Sequence, residues 1–101
     1  MAKIIWTGPA YRDLDEITEY IGFDNPEAAD ALAERIFGHV RQMENHPKSG
    51  SVPAELEGVN IRQIVEPPCR VFYSFDGETV LILHVLRFER VLRMSRLEDR
   101  E

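Results

Sequence analysis

Arginine is the residue type whose placement in this chain could do chemistry. Arg87, Arg90, Arg93 and Arg96 recur at every third position and, with Arg62 and Arg70, hold most of the positive charge of the second half. A guanidinium presents a planar fork of donors that matches phosphate or carboxylate, and it stacks on bases, so such an edge suits an acidic partner or a short RNA segment. Three-residue spacing on a helix rotates gradually around the axis, which makes this a broad basic edge rather than one stripe; the alternative is a solvated helix balanced by Glu89, Glu98 and Asp99. Lys48 adds a single loop cation. Three further residues carry groups able to act as acid, base or nucleophile: His84, Tyr73 and Cys69. Cys69 follows two prolines near the expected start of a strand, with no helix start or basic pair to stabilise a thiolate, so it reads as structural. Tyr73 falls on the expected core face, where its hydroxyl needs a partner.

Composition narrows the classes. The 101 residues, 44% of them hydrophobic, suit one compact domain over residues 1–101, which buries roughly two-thirds of its unfolded surface. No apolar run approaches the ~20 residues of a membrane span, and the opening MAKIIWTGPAYRD lacks the long apolar stretch of a signal peptide, so a cytoplasmic protein is expected. One cysteine excludes an internal disulfide, and three scattered histidines make no zinc-like cluster, so neither metal nor cofactor is expected. Twelve Lys and Arg against eighteen Asp and Glu give a formal charge of -6, which argues against broad phosphate neutralisation. Any nucleic-acid role must be local.

The elements that position these residues follow from periodicity. Lys3 to Trp6 reads as a strand, with Trp6 packing at the sheet edge. Thr7 or Gly8 then caps a helix with Pro9 in its first turn and Ala10, Leu14, Ile17 and Ile21 on its apolar face. Arg12, Asp13, Asp15, Glu16 and Glu19 fill the opposite, solvated side. Asn25-Pro26 starts a second helix, with Ala29, Leu32, Ile36, Val40 and Met43 on one stripe and Phe37 beside it, which stops before His46-Pro47. Gly38 in mid-helix costs about 1 kcal/mol if exposed, unless it permits close approach to the first helix; His39 beside it reads as a surface or packing residue. Ile61 to Val65 alternates as a strand, Pro67-Pro68 ends it, and Cys69 to Arg87 forms a hairpin about Asp76-Gly77. The order implies an α+β domain, β-α-α-β-β-β, with a largely antiparallel sheet carrying the helical hairpin on one face.

If Asp76 and Gly77 are the two turn residues, Tyr73 faces Val80 and Val71 faces Ile82. The core face then carries Cys69, Val71, Tyr73, Phe75, Val80, Ile82, His84 and Leu86. The other face carries Arg70, Phe72, Ser74, Thr79, Leu81, Leu83, Val85 and Arg87. Phe72, Leu81, Leu83 and Val85 make an apolar patch there, covered either by a partner or by a C-terminal segment bearing Phe88, Val91, Leu92 and Leu97.

Taken in order, the pieces resemble the RelE/ParE superfamily of type II toxin–antitoxin toxins. They are the opening strand; Pro9-Ala10-x-x-Asp13-Leu14-x-x-Ile17-x-x-Tyr20-Ile21; Asn25-Pro26-x-Ala28-Ala29; Pro47-x-x-Gly50; Arg70-Val71-Phe72-Tyr73; and the strand Val80 to Leu86. The resemblance covers nearly the whole chain. It implies a small α+β toxin neutralised by an antitoxin protein that covers sheet and helix surfaces, with Phe72, Leu81, Leu83, Val85, Phe88, Val91 and Leu92 as its contacts. The superfamily has two activities. RelE-like members cleave messenger RNA on the ribosome without metal, and Arg70, Arg90 and Lys48 would be this chain's phosphate contacts. The tyrosine or histidine usual near the C-terminus of the nucleases is missing after His84, which the register places opposite Arg70 and Arg87. ParE-like members, of the plasmid stabilisation type, bind DNA gyrase and need no catalytic set, so the resemblance favours a binding inhibitor with Arg62, Arg70, Arg87, Arg90 and Arg93 facing the target. A third reading is a non-toxic toxin fold that serves as an antitoxin-binding partner.

Overall fold

The computed structural model describes residues 1–56 and 58–89. Among them run β1 (Lys3–Trp6), α1 (Gly8–Asp24), α2 (Pro26–Gln42), a 3-10 turn (Ala54–Leu56), β2 (Arg62–Glu66), β3 (Cys69–Phe75) and β4 (Thr79–Arg87). The sheet order is β1-β4-β3-β2; β1 runs parallel to β4 and the other pairings are antiparallel. This is the expected α+β arrangement, with the helical hairpin supplying the crossover that a parallel pair requires. Arg90, Val91, Leu92, Arg93, Arg96 and Leu97 lie outside the described residues.

Local chemistry sets the helix ends. The Thr7 hydroxyl accepts the Ala10 N–H at 3.2 Å, with Pro9 in the first turn. Asn25 serves both helices: its N–H donates to the Ile21 carbonyl that α1 leaves unpaired, while its side chain accepts the Ala28 N–H at 3.1 Å. Ala10 and Leu14 of α1 and Leu32, Ile36, Val40 and Met43 of α2 then bury against Ile64, Val71, Tyr73, Val80 and Ile82, as the stripes require. The glycine at the helix crossing is Gly22, where an added Cβ would meet that of Ala29 at 3.4 Å; Gly38 has nothing within 4 Å of its Cβ position and faces outward.

The hairpin register differs from the two-residue turn expected. Phe75 pairs with Val80 and Tyr73 with Ile82, so residues 76–78 form the loop and Thr79 opens β4. The Asp76 carboxylate accepts both the Glu78 N–H (2.9 Å) and the Thr79 N–H (2.7 Å), which fastens a wider turn than Asp-Gly alone implies. Beyond Tyr73 the register slips again: Phe72 pairs with His84 and Val71 with Val85, leaving Leu83 as the extra residue of a β-bulge. Past the bulge the faces of β4 exchange. Val85 joins the helix-side core and Leu86 the opposite cluster, and Arg87 moves to the side bearing the helices, where its guanidinium lies 5.1 Å from the Tyr20 ring.

The second face is also not open in the way expected. Phe72 and Leu83 are buried, under Leu56 of the 3-10 turn and Ile61, together with Leu86. The chain's own connection between α2 and β2 supplies that cover, a role its polar, loop-like composition does not advertise. Leu81 stays partly exposed beside Ile5, and Phe88 is 49% exposed.

Candidate functional site

Arg70 is the residue on which the nuclease reading depends, and its guanidinium is engaged. It meets the Glu55 carboxylate through two parallel bonds of 3.1 and 2.9 Å, reaches Gln63 Oε1 at 3.4 Å and lies 5.0 Å over the Phe72 ring. With its side chain only 15% exposed, the fork that would grip a phosphate is filled by a carboxylate, a pairing with strong geometric preference. Glu55 is delivered by the same turn that covers Phe72, so burial of the second face and occupation of Arg70 have one cause.

The other cations stand apart from it. Arg62, on β2, donates to the Gly50 carbonyl at 2.9 Å and the Lys48 carbonyl at 3.3 Å, and with Lys48, Asn60 and the hairpin turn it lines a shallow cleft of about 420 Å³. Arg87 pairs with Glu89 at 2.9 Å on the helix-bearing side. Arg62, Arg70 and Arg87 therefore occupy three separate places rather than one basic surface. Arg90 and Arg93 are outside the described residues.

A cleft of about 530 Å³ lies between α1 and the end of β4 and is lined by Asp13, Glu16, Ile17, Tyr20 and His84 through Arg87. The bulge thus brings His84 and Arg87 to one site, where a regular hairpin separates them. Asp13 is not on a solvated face: its Oδ2 accepts the Val85 N–H freed by the bulge at 3.2 Å and pairs with His84 Nδ1. The carboxylate holds the Nδ1 edge of the ring, and Nε2 is buried with no hydrogen-bond partner among the described residues. A covered nitrogen meets no substrate, so the pair fastens α1 to β4. Sequence reasoning put Asp13 in the acidic run because α1 periodicity alone does not reveal a bulge in a strand 71 residues later; the motif Pro9-Ala10-x-x-Asp13 was the available signal.

Tyr73 is buried, and its hydroxyl accepts the Gly50 N–H at 2.9 Å, the partner its position demands. Burial pushes its phenol above the ordinary 10.0. Cys69 is fully buried, and loss of hydration pushes its thiol from 9.0 up to about 11, against the lowering by Arg87. A thiol reagent near pH 8 is accordingly expected to leave the folded chain unlabelled and to label it fully in urea; rapid labelling of the folded chain would refute the buried placement. Among the described residues no group of His, Cys, Asp and Glu is arranged to hold a metal ion, and no helix is long and apolar enough to cross a membrane.

Residues 4–92 match the family model of the ParE toxin of the type II toxin–antitoxin system parDE. The chain belongs to this family. It is 30% identical to "Toxin RelE2" of Caulobacter vibrioides over 96 residues, 93% of this chain and all of that protein. It is 33% identical to "Putative toxin Y4kP" of Sinorhizobium fredii over 84 residues, 81% of this chain and 86% of that one. Among solved structures it superposes on a chain of the chromosomal ParDE system from P. aeruginosa with a TM-score of 0.74 at 25% identity, covering 88% of this chain and 98% of the other. A chain of the RelBE2 toxin–antitoxin complex from Mycobacterium tuberculosis shares the fold at a TM-score of 0.57 and 24% identity, covering 85% and 96%. The ParE-family chain is thus a type II toxin of the ParE/RelE class.

Proposed function

We propose that this toxin is a binding inhibitor of DNA gyrase, neutralised by a cognate antitoxin, rather than a nuclease. The observation that carries the reading is the filled fork of Arg70: a guanidinium held by Glu55, Gln63 and Phe72 is poorly placed to stabilise a phosphorane. The formal charge of -6 and the match to the ParE family model support the same choice. The antitoxin lies across exposed Ile5 and Phe88 and the partly buried Leu81. Phe72 and Leu83, already buried, act beneath that surface rather than on it, and Val85 belongs to the helix-side core.

Purified chain added to gyrase and relaxed plasmid is expected to block supercoiling, with activity restored by the antitoxin. The likeness to a toxin named RelE2 keeps ribosome-dependent cleavage as the second reading. Its signature is messenger RNA cut in a translating lysate, with cutting lost in Arg70→Ala while the variant stays folded; that outcome with normal supercoiling would overturn the proposal.

A further inference from the structure

The outward face of α2 carries two charges that nothing among the described residues pairs. Glu34 and Arg41, two helical turns apart, are both exposed, and neither has an ion-pair partner among the described residues. Between them sit Phe37, 37% exposed, and Gly38, above whose Cβ position there is open space. With Asp30 and Ala33 they line a depression of about 450 Å³. A glycine in the middle of an exposed helix costs about 1 kcal/mol against alanine, and no neighbour among the described residues repays that cost. Phe37 also anchors an aromatic cluster, with ring centroids 5.2 Å from Trp6 and 6.5 Å from Tyr11, that extends the apolar surface beside the depression.

We infer that this face is a two-fold interface with a second copy of the chain, α2 against α2 in antiparallel register. A symmetric contact requires one patch to complement itself, so that each residue meets a residue related by a fixed numerical sum. About an axis between Phe37 and Gly38, Phe37 of one copy falls on Gly38 of the other, and Glu34 falls on Arg41. The same register satisfies both observations: the ring fills the gap that the missing Cβ leaves, and the two unpaired charges are neutralised twice over. The antiparallel arrangement also sets opposed helix dipoles side by side. One helix face is a small contact, and this dimer is expected to be weak and concentration-dependent. The inference stands apart from the identity of the toxin's target.

Sedimentation velocity of the full chain over a wide dilution series tests it. The parent is expected to shift from monomer to dimer with concentration. Glu34→Arg and Arg41→Glu, which set like charges together, are each expected to weaken association by at least about tenfold, and the double variant, which exchanges the charges, to restore it. At Gly38 an added Cβ has nothing within 4 Å, so Gly38→Leu, which fills the gap, is expected to abolish the dimer while helix content and melting temperature hold or rise. A parent that stays monomeric at every concentration overturns the inference, as does a double variant no better than the single ones. Hydrogen-exchange protection of α2 that depends on antitoxin and not on toxin concentration also overturns it, assigning the face to the antitoxin instead.

Discussion

Adding one methyl group at residue 50 is expected to cost about 3 kcal/mol of stability, at the upper end of what overpacking ordinarily does. Gly50 sits where a Cβ would come within 2.6 Å of the Gln63 carbonyl oxygen and 2.6 Å of the Tyr73 hydroxyl, with the tyrosine ring edge at 2.8 Å. The carbonyl belongs to the bridge between Ser51 and Gln63, and the tyrosine is fully buried, so neither neighbour can swing aside. Displacing the loop instead would break the bond to Tyr73 and leave the buried Gly50 N–H unpaired. In a chain of this size the Gly50→Ala melting temperature is expected to fall by roughly 12 to 24 °C. Gly38→Ala is the control, with nothing in its way and an expected gain near 1 kcal/mol. Equal melting temperatures for the two variants would show that the loop does not pack against Tyr73 as described.

Loss of the Asp13 carboxylate is expected to be of similar size. Asp13→Ala strips the partner from His84 Nδ1 and from the Val85 N–H at the bulge, two groups at a buried place, each worth roughly 1–3 kcal/mol when left unsatisfied. Asp13→Asn keeps one acceptor oxygen and is expected to fall between parent and alanine. Chemical denaturation of the three proteins measures the order. A parent-like midpoint for Asp13→Ala would mean that α1 is held to β4 by its apolar contacts alone and that the bulge needs no side-chain support.

These two sites mark where periodicity stops being informative. The helices, the Asn25 cap of α2 and the core stripe from Ala10 to Met43 were legible because each rests on residues within a turn or two of one another; that Asn25 also closes α1 was not. Tyr73, Val71 and Ile82 were placed on the correct face for the same reason. The bulge at Leu83 was not legible, because alternation along β4 carries no mark of it and the Asp13 contact beside it comes from a distant helix. Three assignments beyond it moved, Val85 and Arg87 to the helix side and Leu86 to the opposite face, while His84 kept the helix side and meets Asp13 there. Arg70 was recognised as the residue to watch, yet its partner Glu55 lies in a stretch whose composition reads only as loop. What changed its meaning was a tertiary contact, which no spacing records.

The most direct test of the functional account is made in cells. The chain is induced alone and together with its antitoxin, and plasmid topology and messenger RNA integrity are followed in the same culture. The account predicts loss of negative supercoiling or accumulation of cleaved DNA while messenger RNA remains intact, both reversed by the antitoxin. Unchanged plasmid topology in growth-arrested cells, with messenger RNA cut in an Arg70-dependent manner, would contradict it.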